Sequence, residues 1–106
     1  MMTTVQSLNP QQYQQLFTAS RQAHLLLDVR LPEEFITEHI VGATNIPVQV
    51  LQERLHEVPQ DRPVVFYCRS GNRTKKAAEI LTQAGYRDLY DLGGILQWKE
   101  QGLPVG

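Results

Sequence analysis

Short apolar runs alternate along the chain with segments that have helical spacing. The apolar runs cover residues 24–29, 40–46, 64–67 and 89–92. Between them, apolar residues recur three and four positions apart, at Val48, Leu51, Leu55 and Val58 and again at Ala77, Ile80, Leu81 and Ala84. Buried parallel strands are typically continuous apolar runs, whereas amphipathic helices carry such stripes. The pattern therefore predicts an α/β fold with a mainly parallel sheet.

The predicted helices carry start and stop signals. Asn9 followed by Pro10 is typical of a helix N-terminus. The apolar stripe of this first helix consists of Tyr13, Leu16 and Phe17. Pro32 is expected near the beginning of a second helical turn, and Gly85 is expected to end the helix that contains residues 77–84.

The composition is that of an ordinary globular domain. The chain has 106 residues, of which 42% are apolar and 20% are charged, so we expect a single domain over residues 1–106. Ten basic against eleven acidic residues give a net charge of −1, which predicts no general attraction to nucleic acid or anionic membranes. No apolar run approaches the roughly 20 residues of a membrane helix, and no secretory signal is recognised at the N-terminus.

Cys68 is the only cysteine in the chain. A single cysteine excludes an internal disulfide and a metal site with several thiolates. A free thiol is typical of a reducing compartment, so we expect a cytoplasmic protein. His24 and His56 have no partner at metal-ligand spacing, and His39 is expected to be structural, so we predict no metal site.

The segment after Cys68 has the composition of an anion-binding loop. It joins the most apolar predicted strand to a helix and consists of Arg69, Ser70, Gly71, Asn72 and Arg73. Gly71 permits a tight turn whose backbone N–H groups point inward, and the helix adds its own free N–H groups and dipole. The two arginines add positive charge and forked donors. Together these groups would stabilise a thiolate and bind an anionic substrate beside it.

The position of this loop and its two arginines favour a reactive thiol over an inert one. A single cysteine is often only a buried side chain, and Ser70 or Asn72 can serve merely to cap a helix. However, parallel α/β sheets bind ligands beyond the carboxyl ends of their strands, which is where Cys68 is expected. Capping alone also does not explain two arginines at a helix N-terminus, where the dipole disfavours cations. We therefore expect Cys68 to be reactive.

The length of the loop distinguishes between two kinds of cysteine enzyme. Cysteine phosphatases place five residues between the cysteine and the arginine, whereas four separate Cys68 from Arg73. The shorter loop makes a tighter ring of amides, which suits a smaller centre than phosphate, such as the terminal sulfur of a persulfide. A phosphatase or arsenate reductase is therefore the less favoured alternative.

Four motifs in order make the sequence resemble a single-domain rhodanese, a thiosulfate-type sulfurtransferase, over nearly the whole chain. They are residues 26–35 (LLDVRLPEEF), 39–47 (HIVGATNIP), 64–73 (VVFYCRSGNR) and 92–98 (LGGILQW). At the second motif, Glu38 and Val41 stand where the family usually has glycine and proline. The resemblance implies the rhodanese-like fold, a central mainly parallel β-sheet flanked by helices on both faces.

The resemblance also implies a reaction. Cys68 would be the catalytic nucleophile, whose thiolate takes the outer sulfur of a donor such as thiosulfate and passes it from a persulfide to cyanide or a thiol. Arg69 and Arg73 are the candidates for the donor's sulfonate. The amides that would hold the sulfur are those of Ser70, Gly71, Asn72 and Arg73.

This reaction needs no metal or organic cofactor. The partners that it implies are a small anionic sulfur donor and an external thiol or a protein as the sulfur acceptor. An alternative from a different class is a rhodanese-fold module that carries sulfur or binds a partner with little turnover. Such modules often lack the cysteine, which this chain retains.

Other polar and aromatic residues are expected to be structural. Asp28 and Arg30 should form an ion pair at the edge of the sheet. The acidic residues 33–34 give a negative first helical turn, which the helix dipole favours. His39 is expected to pack or to hydrogen-bond within the scaffold, and Trp98 to lie in the core.

Overall fold

A computed structural model describes residues 4–106, which contain a five-stranded sheet. In chain order the strands are β1 (Gln6–Ser7), β2 (Leu25–Asp28), β3 (Thr44–Asn45), β4 (Val64–Cys68) and β5 (Leu89–Gly94). Their order across the sheet is β1-β5-β4-β2-β3, and every neighbouring pair is parallel. The predicted α/β fold with a parallel sheet is confirmed, and the carboxyl ends of all five strands lie at one edge.

Helices connect the strands. α1 (Pro10–Tyr13) continues as a π-helical turn (Gln14–Thr18), and α3 (Val48–Leu51) continues as a 3-10 helix (Gln52–Glu57); the others are α2 (Pro32–Thr37), α4 (Arg73–Gln83) and α5 (Ile95–Glu100). Asn9 caps α1 by accepting a 2.8 Å hydrogen bond from the N–H of Gln12. Gly85 follows α4 with a φ of 92°, a left-handed conformation that glycine adopts without strain. Both predicted signals are confirmed.

Apolar clusters cover both faces of the sheet. Successive residues of a strand point to opposite faces, so Val64, Phe66 and Cys68 pack in the cluster that contains residues of α3 and α4. Val65 and Tyr67 pack instead in the cluster that contains α1 and α5. Helices therefore flank both faces, and Cys68 lies at the end of the central strand on the α4 side. Trp98 is 4% exposed, which confirms its predicted place in the core.

One predicted strand is largely absent. Within the predicted strand over residues 40–46, only Thr44–Asn45 pairs with β2. Ile40 makes an isolated antiparallel bridge with Val105. The segment turns between these two contacts, where Gly42 has a φ of 92°, so Ile40 and Ile46 are buried without forming a continuous strand and Val41 is exposed.

Leu16 is not part of the buried stripe of the first helix. Its side chain is 43% exposed, whereas Tyr13 and Phe17 are 6% and 2% exposed. The chain forms a π-helical turn here, with a 2.7 Å hydrogen bond from the N–H of Ala19 to the carbonyl of Gln14. Because this i→i+5 turn is wider than an α-helical turn, the spacing that predicts burial of Leu16 does not apply.

No helix within residues 4–106 has the length and apolar character needed to cross a membrane. The expectation that the N-terminus carries no secretory signal rests partly on residues 1–3, which lie outside the described residues. The assignment of residues 1–106 to a single domain stays a prediction.

Candidate active site

The parallel register brings the ends of three strands together around Cys68. Cys68 is the last residue of β4 and is aligned with Gly94, the last residue of β5. On the other side, Tyr67 is aligned with Asp28, the last residue of β2. The loop of residues 69–72 begins between these neighbours and leads into α4. The site therefore lies at the carboxyl edge of the sheet, as predicted for a ligand site in a parallel sheet.

Cys68 is buried beneath its own loop. The residue is 1% exposed, and its Sγ accepts a 3.0 Å hydrogen bond from the N–H of Gly71. Gly71 has a φ of 101°, which directs its N–H toward the sulfur in a conformation that favours glycine. In residues 4–106, the amides of Ser70, Asn72 and Arg73 make no hydrogen bond with Sγ. Sγ therefore accepts a hydrogen bond from one backbone amide, whereas the sequence predicts a ring of several amides.

Gly94 allows the loop to approach β5. A Cβ atom on Gly94 would lie 2.7 Å from the Cα of Ser70 and against the carbonyl oxygen of Arg69. Its φ of −127° is accessible to any residue, so glycine is required here by the close approach of the backbone. The carbonyl of Arg69 also accepts a 3.3 Å hydrogen bond from the N–H of Leu96. The start of the loop is therefore held against the junction of β5 and α5.

The buried carboxylate of Asp91 ties the start of α4 to β5. It accepts hydrogen bonds from the N–H of Gly93 at 2.8 Å and from Nζ of Lys75 at 2.9 Å. Oγ1 of Thr74 lies 3.1 Å from the same carboxylate and 2.9 Å from the carbonyl oxygen of Gly71. This network fixes the far end of the loop, opposite the end held by Gly94.

Arg73 is engaged by a carboxylate from α2. Its Nη1 and Nη2 donate to the two carboxylate oxygens of Glu34 at 2.7 and 3.0 Å. These hydrogen bonds lower the pKa of Glu34 to about 2 and raise the pKa of Arg73. The guanidinium that the sequence assigns to the donor's sulfonate is therefore already paired in this structure.

Arg69 is the unpaired arginine of the loop. It is exposed, and its side chain forms no ion pair or hydrogen bond with any residue in 4–106. It lines a cavity of about 410 Å³ together with Glu33 and Glu34, and a second cavity of about 340 Å³ together with Ser70. Cys68 lines neither cavity. Arg69 therefore stands at the surface, whereas the thiol lies behind the loop.

A satisfied polar network supports the neighbouring strand end. Nε and Nη2 of Arg30 donate to the carboxylate of Asp28 at 2.6 to 3.0 Å, and the pair is 5% and 0% exposed. Tyr67 Oη donates to the same carboxylate at 2.7 Å and accepts from the N–H of Ile40 at 3.0 Å. Burial and the adjacent Asp28 carboxylate raise the pKa of Tyr67, which keeps its hydroxyl a donor. The predicted ion pair is confirmed as part of the scaffold.

The remaining predicted residues are divided between the loop surface and the scaffold. Ser70 and Asn72 are exposed, and Asn72 precedes α4 without a side-chain capping bond. His39 stacks on Phe35 at 4.0 Å and hydrogen-bonds the carbonyl of that residue, so its predicted structural role is confirmed. In residues 4–106 there is no cluster of three or more His, Cys, Asp or Glu side chains that could hold a metal ion.

Three residues that build the site are not recognised from the sequence as parts of it. Glu34 is predicted only as a charge at a helix start, although it contacts Arg73, 39 positions away. Gly94 belongs to the motif of residues 92–98, but its contact with the loop depends on the register of the sheet. Asp91 gives the clearest signal, because a carboxylate within an apolar strand must find partners when it is buried.

The fold agrees with comparisons with known proteins. The family model of the rhodanese-like domain matches residues 9–101, and the chain belongs to this family. A sulfurtransferase of Allochromatium vinosum is 43% identical over 82 residues, which are 76% of this chain and 77% of that protein. The thiosulfate sulfurtransferase GlpE of Pseudomonas syringae is 31% identical over 99 residues, or 92% of this chain and 91% of that one.

A solved structure extends the likeness to three dimensions. The crystal structure of a rhodanese-related protein from Thermoplasma volcanium has a TM-score of 0.82 and 34% identity, and the match covers 95% of this chain and 97% of that one. The predicted rhodanese-like fold is therefore confirmed. Sulfur transfer is supported at the level of the family.

Proposed function

We propose that the protein is a sulfurtransferase that carries sulfane sulfur on Cys68 as a persulfide. The observation that supports this most directly is the 3.0 Å hydrogen bond from the N–H of Gly71 to Sγ, at the carboxyl end of the central strand. A backbone N–H directed at sulfur stabilises negative charge there, first on the thiolate and then on the persulfide. Membership of a family with members named sulfurtransferases supports the same reaction.

In the first step, the Cys68 thiolate attacks the outer sulfur of a donor such as thiosulfate. A new S–S bond forms as the donor's S–S bond breaks, and sulfite leaves with the bonding electron pair. Because Sγ is almost completely covered, the donor reaches it only when the loop of residues 69–72 moves aside. Arg69 is the cation that can draw an anionic donor to this loop, since it lines both adjacent cavities.

In the second step, an acceptor such as cyanide or a thiolate attacks the outer sulfur of the persulfide. Cys68 then leaves as a thiolate and is ready for another donor. The chain has no second cysteine that could resolve the persulfide as an internal disulfide, so the acceptor must be external. Each step exchanges one leaving group for one nucleophile, and neither requires a redox cofactor.

The burial of Cys68 favours a second candidate function. A thiol that is 1% exposed is suited to keeping a persulfide away from water and from unselective acceptors. The protein would then act as a sulfur carrier that loads and unloads when a partner displaces the loop. The carrier and the enzyme use the same persulfide and differ in the rate of turnover with small molecules.

Sulfur loading and turnover test these functions together. We expect the reduced protein, incubated with thiosulfate, to gain one sulfur atom by intact mass, and to form thiocyanate when cyanide is added. Cys68→Ser should remove the gain, because the variant has no thiol. Loading without multiple turnovers would favour the carrier. Failure of the wild-type protein to gain sulfur from either thiosulfate or an alkyl persulfide would overturn both functions.

A further inference from the structure

Arg69 and Arg73 differ in how much of their positive charge is available to an incoming molecule. Arg69 has no ionic partner within residues 4–106 and lines the cavities. Arg73, in contrast, makes both of its short guanidinium contacts with the carboxylate of Glu34. The positive charge of Arg73 is therefore largely compensated before any donor arrives.

Arg73 lies within electrostatic reach of the thiol. Its pKa is raised first by the hydrogen bonds to Glu34, which outweigh the opposing effect of burial, and the charges of Glu34 and Cys68 add to the increase. Glu34 also lines the 410 Å³ cavity beside the loop. A change in the charge of Glu34 is consequently felt both in the cavity and, through Arg73, at the sulfur.

We propose that Glu34 is a specificity-determining residue that compensates the charge of Arg73 and so disfavours dianionic sulfur donors at Cys68. With Glu34 in place, Arg69 supplies the one uncompensated positive charge of the loop. A donor with one negative charge, such as an alkyl persulfide anion, matches this site better than dianionic thiosulfate does. The donor preference rests on the proposed sulfur transfer, whereas the effect of Glu34 on charge does not.

The rates at which Cys68 is alkylated report the charge around its sulfur independently of sulfur transfer. Anionic iodoacetate and neutral iodoacetamide are attacked by the same thiolate, which displaces iodide and forms a C–S bond in each case. Both reagents need the same opening of the loop, so the ratio of their rates cancels that opening and reports the charge around the sulfur. We expect Glu34→Gln to raise the iodoacetate-to-iodoacetamide ratio about three- to tenfold.

Glu33→Gln is the matched control. Glu33 precedes Glu34, lines the same cavity and has no ion pair within the described residues, so the substitution changes the same charge without releasing Arg73. We expect it to change the ratio less than twofold. An unchanged ratio in Glu34→Gln, or an equal rise in both variants, would overturn the proposal.

A second variant tests the pair from its other side. Arg73→Gln leaves the carboxylate of Glu34 uncompensated, and it should lower the ratio below that of the wild-type protein. An unchanged or higher ratio would contradict the proposal even if Glu34→Gln could not be prepared in folded form. The double variant Glu34→Gln/Arg73→Gln should return the ratio to within about twofold of the wild-type value.

Donor kinetics then distinguish the two proposals. Glu34→Gln should lower the KM for dianionic thiosulfate about three- to tenfold more than it lowers the KM for a monoanionic alkyl persulfide, because the second negative charge adds a further attraction to the released Arg73. A shifted alkylation ratio without sulfur loading in any variant would retain the role of Glu34 in setting the charge and reject the sulfurtransferase. Normal sulfur loading with an unshifted alkylation ratio would retain the sulfurtransferase and reject the role of Glu34 in setting the charge.

Discussion

Arg30 and Arg73 both pair with a carboxylate at the same edge of the sheet, but the two ion pairs lie in different environments. The shortest contacts are nearly equal, at 2.6 Å for Arg30–Asp28 and 2.7 Å for Arg73–Glu34. The side chains of the first pair are 5% and 0% exposed, whereas those of the second are 30% and 26% exposed. Burial, rather than distance, therefore separates them.

This difference assigns the two pairs to different tasks. Removing one partner from a buried pair leaves a charge that water cannot reach, so the Arg30–Asp28 pair must remain intact for the strand end to hold its place. A partly exposed pair can exchange its partner for water or a ligand at small cost. The Arg73–Glu34 pair can therefore be altered at a smaller cost in stability than the buried pair, which maintains the scaffold beside it.

The largest expected effect comes from breaking the buried pair. Asp28→Asn keeps the size of the side chain but leaves Arg30 uncompensated and weakens the acceptor of the Tyr67 hydroxyl. We expect a loss of about 3–5 kcal/mol in the free energy of unfolding, measured with urea at neutral pH.

Asp61→Asn provides the control for this substitution. Asp61 pairs with Arg62 at 3.1 Å, but the side chains are 76% and 46% exposed, so the free energy of unfolding should stay close to that of the wild-type protein. Similar losses in the two variants would show that burial does not distinguish the ion pairs.

A smaller loss of stability, with a direct effect on the thiol, is expected for Gly94→Ala. The new methyl group would press on the backbone of Arg69 and Ser70, which should displace the loop and cost about 1–3 kcal/mol. Because the loop covers Cys68, we also expect faster alkylation by neutral iodoacetamide.

Gly42→Ala is the matched control for that experiment. Gly42 has a φ of 92°, and nothing lies within 4 Å of the position that a methyl group would take, so alanine there brings backbone strain without touching the loop. Its alkylation rate should remain that of the wild-type protein. Equal acceleration in both variants would mean that general loss of stability, rather than the loop, exposes the thiol.

Sequence patterns predict the parts of the fold that local chemistry determines. The apolar run at β4 and the cap at Asn9 depend on neighbouring residues alone, and both are recognisable. Gln6–Ser7 is not predicted, because both residues are exposed and the strand exists only through pairing with β5. The prediction that Leu16 lies in the core is wrong because it assumes α-helical spacing, and nothing nearby in the sequence indicates a π-helical turn.

The site is predictable in position but not in its contacts. The strand-to-helix loop identifies Cys68 and its arginines, because parallel strands end where ligands bind. The engagement of Arg73 by Glu34 joins residues 39 positions apart and leaves no periodic signal. Similarly, the burial of Sγ depends on how the loop folds against Gly94, a contact set by the register of β4 and β5.

The smallest expected effect is the pH dependence of the stability that the partly exposed Arg73–Glu34 pair contributes. Hydrogen bonds from Arg73 lower the pKa of Glu34 from about 4.5 to about 2, so the pair's contribution is fully present above the unfolded value and is lost as the pH falls through this window. Because the side chains are 26% and 30% exposed, we expect only about 1 kcal/mol. Wild-type and Glu34→Gln proteins should therefore differ by this amount in free energy of unfolding at neutral pH and converge near pH 2. A difference that stays constant over the acid range would mean that Glu34 does not stabilise the fold through its charge.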